Sequence, residues 1–298
     1  ALVQATSGGA LCQAWGWEDV WTCDGAEYVN GANGHAGYTA FRNAMRAVDP
    51  TIQLGAVGQY PANDYNNWGN KVLAAAGATM DYYDLHPYAY NNLPASFAEA
   101  LAQPESFWPA IRADLNTAFN ANASGRQIPV GATEYNIVAV QDNDSGQWMT
   151  RAVDALFIAD TLGQMIQNGF VIGNQWDLAN GRAGNGPEYG LMHVDNNWYR
   201  SPQYYVFPLW ARFGGQMLPT TSTLNATSQL SVYGGRIDAN TISLLAINKT
   251  NAPITGTLSL DSASGALNVT GGSADVVKAT TLSDQAVTYN NVSSPAND

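Results

Sequence analysis

Charged residues are scarce in this 298-residue chain, and cationic residues are the scarcest. Only 12% of the residues are charged, and 12 Lys+Arg stand against 24 Asp+Glu, which gives a net charge of -12. A protein that binds nucleic acid needs a basic surface to neutralise phosphates, and this composition does not provide one. A neutral ligand fits better, and a sugar polymer is the obvious neutral candidate.

Long apolar runs and metal-binding patterns are also missing. No run of about 18 apolar residues occurs, so the sequence predicts no membrane-spanning helix. The 3 histidines lack the spacing of a zinc site, and no glycine-rich phosphate loop is present, so we expect neither a metal nor a cofactor. No basic stretch precedes Ala1, so we expect that any signal peptide has already been removed.

Cysteines are few, and the two that occur, Cys12 and Cys23, are close enough in sequence to bridge a short loop. In an oxidising compartment we expect a disulfide between them; two free buried thiols are the alternative. Several Asn-X-Ser/Thr sequons, together with so little charge, indicate a secreted, extracellular and N-glycosylated protein. These sequons begin at Asn122, Asn143, Asn225, Asn248, Asn268 and Asn291.

Aromatic residues, in contrast, are abundant, with 9 Trp and 15 Tyr in the chain. Aromatic faces stack on sugar rings, so these residues agree with a carbohydrate ligand. Core packing is the alternative, and most of these residues must serve it.

Short apolar segments alternate with segments of helical periodicity through the first 214 residues. This alternation is typical of βαβ units and a parallel sheet. A Gly/Asn-rich segment that extends to residue 198 is predicted as a long loop, of the kind that commonly shapes a binding site. The predicted strands are 11–17, 52–57, 80–85, 128–136 and 170–176. The predicted helices are 38–48, 67–76, 96–119 with breaks around Pro104 and Pro109, 148–168 and 204–213.

Beyond residue 215 the pattern changes to short β-rich segments separated by turn residues, which is typical of an all-β sandwich. The sequence therefore predicts two domains, a catalytic β/α portion at 1–214 and a β-sandwich accessory domain at 215–298. The predicted strands of the second domain are 230–233, 241–248, 256–260, 274–278 and 286–289.

The segment 128–136 contains the strongest candidate for a catalytic residue. It begins as an apolar strand and ends with Glu134, Tyr135 and Asn136. An acidic residue at the end of an apolar strand costs desolvation free energy unless it has a function. In a barrel of parallel strands, catalytic side chains lie at the carboxyl ends. Glu134 is therefore a candidate catalytic carboxylate, although capping of the next helix or pairing with an arginine would also account for it.

Retaining glycoside hydrolysis needs two carboxyl groups about 5–5.5 Å apart. Glu18 is the favoured partner of Glu134, because it closes the first predicted strand. It lies among tryptophans that include Trp17, and an apolar environment raises the pKa of a carboxyl group, as an acid catalyst requires. The other upstream candidates are Asp19, Glu27 and Asp84, of which Glu27 is the next best.

Residues at other strand ends are candidates for substrate binding. His86 and Tyr88 follow one strand and could hydrogen-bond the nucleophile or the substrate. Trp176 ends a later strand and would offer a stacking platform beneath a sugar ring. The remaining candidates are Trp17, Tyr135, Asn136, Asp177 and Asn180.

Several segments resemble the clan A glycoside hydrolases, above all the α-L-arabinofuranosidases and their β-xylosidase and β-glucuronidase relatives. They are ATEYN, RAVDALFIADTLGQMIQ, GNQWDLANG and YYVFPLWARFGGQML, and the upstream FRNAMRAVDPTIQLGAVG is also similar. The resemblance implies a (β/α)8 TIM-type barrel with an attached β-sandwich, and a retaining mechanism. It matches Glu134 with the nucleophile after strand seven, His86 and Tyr88 with polar residues after strand six, and Trp176 with the aromatic residue after strand eight.

Two departures from the family pattern bear on these expectations. The family's acid/base residue usually follows an asparagine, whereas Glu18 follows Trp17. If residues 11–17 form strand four, strands one to three are not in this sequence, and a barrel cannot close without them. We therefore expect an N-terminal segment or a second chain to complete the barrel; a smaller α/β sheet is the alternative.

Together, these features predict a secreted retaining glycoside hydrolase that acts on polysaccharides or oligosaccharides, with arabinofuranosidase specificity favoured over β-xylosidase or β-glucuronidase. Glu134 would attack the anomeric carbon, and Glu18 would protonate the leaving oxygen and then activate water. The alternatives are a non-catalytic glycan-binding protein on a degenerate barrel and a structural surface protein.

Overall fold

A computed structural model of the chain describes residues 24–184, 186–195, 197–261, 265, 267 and 269–293. The chain divides into two compact units. The first comprises the described residues of Ala1–Ala89, Ser106–Asn136 and Gln164–Trp176, and the second those of Tyr90–Glu105, Ile137–Gly163 and Asp177–Asp298. The second unit thus combines segments from both sides of residue 215, and the domain boundary at that residue stays a prediction.

A four-stranded parallel sheet forms the centre of the first unit, with its strands in chain order. The strands are β1 (Gly55–Val57), β2 (Tyr82–Leu85), β3 (Val130–Tyr135) and β4 (Phe170–Gln175). All four lie within segments that the sequence predicts as strands. The predicted strand at 11–17 lies outside the described residues.

The sheet is open in the part of the chain that the structure describes, with β1 and β4 as its outer strands. The prediction of an α/β fold with a parallel sheet is confirmed. Four strands are too few to close a barrel, because closure requires the strand number and tilt to match. The closed eight-stranded barrel, and the numbering of these strands as part of it, stay predictions.

Helices separate the strands, and their boundaries follow local capping signals. Asp24 accepts a hydrogen bond from the Ala26 backbone at 2.8 Å, and Ser96 accepts one from the Glu99 backbone at 3.2 Å; both are N-caps. The predicted break at Pro104 is present, because Pro104 starts a new helix, whereas Pro109 lies inside that helix and does not end it. The helices are α1 (Gly25–Asn30), α2 (Tyr38–Val48), α3 (Asp64–Ala76), α4 (Phe97–Ala102), α5 (Pro104–Asn122), α6 (Ala152–Gln167) and α7 (Val206–Ala211).

Aromatic rings fill the core of the first unit. Tyr83 and Phe119 lie 5.7 Å apart between ring centroids, and Trp108 lies 6.0 Å from Tyr135 and 5.2 Å from Phe170. These rings cover the face of the sheet that Tyr83 lies on. Because side chains alternate along a strand, Asp84, which follows Tyr83, points to the other face, where burial is only partial.

β3 contains one extra residue near its carboxyl end. Ala132 pairs with Gly173 and Tyr135 pairs with Gln175, so three steps along β3 correspond to two steps along β4. This irregularity is a β-bulge, and it contains Thr133 and Glu134. In a regular strand these two consecutive side chains would point to opposite faces. The bulge changes their directions and thereby positions the site described below.

The second unit contains three small sheets in its described residues. The predicted strands at 230–233 and 241–248 are confirmed, whereas 256–260 forms no strand. That prediction was wrong because alternation needs a core to pack against, and Leu258 is 57% exposed. The predicted β-sandwich stays a prediction. The strands are β5 (Ala179–Asn180), β6 (Met192–His193), β7 (Tyr199–Arg200), β8 (Gln216–Leu218), β9 (Leu230–Arg236), β10 (Ile242–Asn248), β11 (Val277–Lys278), β12 (Thr288–Tyr289) and β13 (Val292–Ser293).

A buried lysine is paired with acidic residues in the second unit. The Lys249 side chain is 1% exposed, and its Nζ lies 2.6 Å from Asp160 Oδ2 and 4.0 Å from Glu105 Oε1. The Tyr233 hydroxyl donates to Asp160 Oδ1 at 2.6 Å, and the Ser231 hydroxyl donates to Glu105 Oε1 at 2.8 Å. Each charge in this group therefore has a charged or hydrogen-bonding partner, as burial requires.

None of the helices in the described part of the chain is both long enough and apolar enough to span a membrane.

Candidate functional site

The carboxylate of Glu134, at the carboxyl end of β3, is contacted by two side chains that follow β2. His86 Nδ1 lies 3.4 Å from Glu134 Oε1. The Tyr88 hydroxyl donates a hydrogen bond to Glu134 Oε2 at 3.2 Å. The Glu134 side chain keeps 26% of its surface exposed, so a ligand can reach it. The structure therefore brings together these three residues, which the sequence places at the ends of two different strands.

Behind His86 lies a second pair of polar residues, Asp84 and Thr133. The Thr133 hydroxyl donates to Asp84 Oδ1 and Oδ2 at 2.7 and 2.9 Å, and His86 Nε2 lies 3.1 Å from the same hydroxyl oxygen. Burial raises the pKa of Asp84, while the Thr133 hydrogen bond and the charge of His86 oppose that shift. The sequence indicates Asp84 only as an acid/base candidate and does not indicate Thr133, because the contact of Thr133 with Asp84 depends on the bulge.

Trp176, Asn136 and Tyr135 lie where β3 and β4 end. Trp176 is 40% exposed, so part of its ring is available for stacking. The Asn136 amide donates to the Trp176 carbonyl at 2.7 Å, and the Trp176 backbone N–H donates to the Tyr135 carbonyl at 3.0 Å. Asn136 and Tyr135 are each 1% exposed. The structure thus places these two predicted ligand contacts in the interior, where they support the strand end.

Glycoside hydrolases are among the solved structures that share this fold. The α-L-arabinofuranosidase from Thermotoga maritima, in an arabinose complex, matches with a TM-score of 0.57 and 17% identity, over 78% of this chain and 49% of that chain. A GH51 α-L-arabinofuranosidase from Thermotoga petrophila RKU-1 matches with a TM-score of 0.53 and 16% identity, over 70% of this chain and 46% of that chain. In fold, this chain resembles the clan A glycoside hydrolases.

The clan A likeness extends to a family 44 endoglucanase from Clostridium acetobutylium ATCC 824, with a TM-score of 0.57 and 14% identity, over 83% of this chain and 53% of that chain. This chain therefore spans about half the length of the structures that it matches. No protein-family model matches the sequence, and no curated protein matches it. At these identities the clan A likeness concerns the fold.

Two further predicted binding residues, Asp177 and Asn180, belong to the second unit. The Asn180 amide donates to Gln141 Oε1 at 3.0 Å, and its carbonyl oxygen accepts from the Gly181 backbone at 2.8 Å. The Asp177 carbonyl accepts from the Leu191 backbone at 2.9 Å. These bonds organise the segment predicted as a long loop, which contains β5 and β6 and is followed directly by their partner strand β7.

Six residues named from the sequence lie outside the described part of the chain: Trp17, Glu18, Asp19, Cys12, Cys23 and Asn268. The acid/base role of Glu18 and the disulfide therefore stay predictions. Within the described ranges, no group of three or more His, Cys, Asp or Glu side chains could hold a metal ion.

A buried carboxyl group, Glu188, lies between β5 and β6. Its Oε2 is 3.5 Å from Arg182 Nε and 3.4 Å from His193 Nδ1. His193 Nε2 in turn lies 2.6 Å from the buried Ser201 hydroxyl oxygen. Burial, assisted by the charge of Asp195, raises the pKa of Glu188 to about 7. Burial also lowers the pKa of His193, so both side chains favour their neutral forms.

This raised pKa predicts that Glu188 makes the fold less stable as the pH rises. Its ordinary pKa of 4.5 becomes about 7 in the folded chain. The folded state therefore retains a proton that the unfolded state has lost, and this contribution to stability, complete below 4.5, disappears as the pH rises through about 7. We expect Glu188→Gln, which cannot titrate, to remove this part of the pH dependence. Urea unfolding at about pH 5 and about pH 8 measures how the free energy of unfolding changes with pH. If this change is the same in wild type and variant, the assignment to Glu188 is contradicted.

Proposed function

We propose that this chain carries the nucleophile of a retaining glycoside hydrolase, and that the nucleophile is Glu134. The observation that carries the proposal is an accessible carboxylate at the end of a parallel strand, held by Tyr88 and His86. A nucleophilic carboxylate must be ionised and fixed in direction, and hydrogen-bond donors that contact its oxygens favour both. The clan A likeness of the fold supports the same reaction class.

The proposed reaction is a double displacement. Glu134 attacks the anomeric carbon and forms a glycosyl-enzyme ester while the leaving oxygen takes a proton from a general acid. Glu18 is the candidate for that acid. In the second step the same residue removes a proton from water, which attacks the anomeric carbon and releases Glu134.

The proposed substrate is a plant or microbial oligosaccharide or polysaccharide, with an α-L-arabinofuranosyl group favoured at the cleaved bond. Trp176 is exposed enough to stack on a sugar ring. Two of the solved structures that match are named as α-L-arabinofuranosidases. A β-xyloside is the next candidate. A β-glucuronide is disfavoured by the shortage of cations, 12 Lys+Arg in the whole chain.

The test uses protein purified from its source with a panel of aryl α-L-arabinofuranosides, β-xylosides and β-glucuronides. We expect turnover of at least one member, and NMR of the first product should show a retained anomeric configuration. Inversion would contradict the double displacement. Binding of oligosaccharides without turnover, unchanged in Glu134→Gln, would instead support the glycan-binding alternative.

The proposal includes an N-terminal segment or a second chain that completes the barrel. Helix α2 supports this part of the proposal, because its apolar side faces outward: Phe41 is 61% exposed, Met45 43% and Val48 88%. Its inward side is instead anchored by polar contacts, with Arg46 paired to Asp81 at 2.7 Å. An apolar stripe at helical spacing normally packs against a neighbouring element.

Intact mass under native and denaturing conditions tests this partner on material from the natural source. A complex that loses a component only on denaturation supports a second chain, and a single chain heavier than 31.7 kDa after removal of glycans supports a longer polypeptide. A monomer of 31.7 kDa that exposes the α2 stripe to protease or dye would contradict both forms of the partner.

We also propose that the protein is secreted and glycosylated. Asn225 and Asn291 are the exposed sequon residues among the described ones. Asn122, Asn143 and Asn248 each donate from the side-chain amide to a backbone carbonyl. Mass loss on enzymatic deglycosylation, with the converted asparagines mapped by peptide sequencing, tests this proposal; an unmodified chain in the culture medium would contradict it.

A further inference from the structure

The side chains of Asp84, Thr133, His86 and Glu134 form a continuous series of polar contacts. The central group is the Thr133 hydroxyl, which has a single proton to donate. It lies 2.7 and 2.9 Å from the two oxygens of Asp84 and 3.1 Å from His86 Nε2. An ionised carboxylate can only accept hydrogen bonds. The Thr133 proton is therefore directed to Asp84, and the Thr133 oxygen is left to accept a proton from His86.

This arrangement decides which nitrogen of the neutral His86 ring carries the proton. Because the Thr133 oxygen accepts, the ring must donate from Nε2, and Nδ1 is left with a lone pair. Nδ1 is the atom that faces Glu134 Oε1, at 3.4 Å. Two acceptors at this distance repel one another, so a hydrogen bond here needs one further proton, which makes His86 an imidazolium.

We propose that Thr133 and Asp84 are positioning residues that fix the His86 proton on Nε2, so that His86 hydrogen-bonds Glu134 only as an imidazolium. The importance of this positioning for catalysis rests on the proposed function, in which Glu134 is the nucleophile. The imidazolium holds the carboxylate ionised and oriented. Once the ring loses its Nδ1 proton, the contact becomes repulsive and that orientation is lost.

Among the described residues, two phenols also lie near this series. Tyr88 donates to Glu134 Oε2, and Tyr28 interacts electrostatically with Asp84. Within the described residues, neither Asp84 nor Glu134 forms an ion pair with a lysine or arginine; His86 lies 4.0 Å from Asp84 Oδ2 and 3.4 Å from Glu134 Oε1.

The direct test is ¹⁵N NMR of the full chain labelled at histidine, which has only 3 histidines to resolve. The His86 signals are assigned by their loss in His86→Gln. In wild-type protein, at a pH where the ring is neutral, we expect the shifts of the Nε2–H form. Thr133→Val removes the hydroxyl at similar volume and should move the proton to Nδ1, which can then donate to Glu134. Thr133→Ser keeps a hydroxyl and should restore the wild-type form.

An Nδ1–H form in wild-type protein would overturn the proposal, and so would a Thr133→Val spectrum identical to wild type in a folded sample. The wild-type spectrum decides even if the valine variant does not fold. This readout needs no turnover. The expected tautomers in a protein without glycosidase activity would therefore contradict the proposed function and leave the positioning role intact.

The pH profile of kcat/KM provides the kinetic readout for Thr133→Val. In the variant, neutral His86 can still donate from Nδ1 to Glu134, so the alkaline limb should move to higher pH. Thr133→Ser should keep the wild-type limb. A purely structural role would lower the whole profile and leave the position of the limb unchanged, and that result would also overturn the proposal.

Discussion

Glu134→Gln is expected to reduce turnover of the best aryl glycoside by about 10⁴-fold, because an amide cannot form the glycosyl ester. The substitution preserves the size of the side chain, and its oxygen can still accept from Tyr88. The fold and the affinity for product sugars should therefore change little. Initial rates, together with unfolding curves for both proteins, measure the two effects separately.

Two companion variants make this expectation specific to a nucleophile. Glu134→Ala with added azide should regain turnover and release a glycosyl azide of inverted configuration, since the small anion occupies the space of the lost carboxylate. Tyr88→Phe should cost only about tenfold, because it removes one hydrogen bond to the nucleophile. Retention of more than about a tenth of the activity in Glu134→Gln would exclude Glu134 as the nucleophile.

Lys249→Met is expected to destabilise the protein by about 3–5 kcal/mol, because it leaves an acidic residue buried without its cation. The Asp160 side chain is 1% exposed and pairs with Lys249 at 2.6 Å. Combining Lys249→Met with Asp160→Asn should recover part of the loss, since the second change removes the unpaired charge. The midpoint of urea unfolding, at constant slope, measures both effects.

The ion pair between Arg212 and Asp275 offers a matched control on the protein surface. The Arg212 side chain is 63% exposed, and exposed ion pairs contribute little to stability because water and salt screen them. Arg212→Met should therefore shift the unfolding midpoint far less than Lys249→Met. Equal shifts for the two variants would mean that burial does not determine the contribution of Lys249.

The features of the site that the sequence predicted are those that depend on local pattern. An apolar run that ends in Glu134, and a strand followed by His86 and Tyr88, are visible in the order of residues alone. Parallel strands that neighbour one another must end at the same edge of the sheet. The approach of these three side chains could therefore be expected before any coordinates were known.

The missed features depend on register and on burial, neither of which is local. The bulge at Thr133 exists only relative to β4, so no pattern within β3 marks it. Tyr135 follows the catalytic candidate in sequence but packs on Trp108 of α5, the helix that precedes β3, with ring centroids 6.0 Å apart. Segment 256–260 alternates like a strand yet lacks a partner surface. In each case tertiary context decided against the local signal.

The extra residue in β3 also determines which sequence changes this strand end can tolerate as related proteins diverge. A substitution at Thr133 alters one side chain and leaves the directions of its neighbours unchanged. Deletion of a single residue between Ala132 and Tyr135 would restore regular alternation. Tyr135 would keep its buried direction, but the strand end would lose either the Thr133 hydroxyl, which connects Asp84 to His86, or the Glu134 carboxylate itself. This strand end can therefore vary by exchange of side chains, whereas its length is fixed.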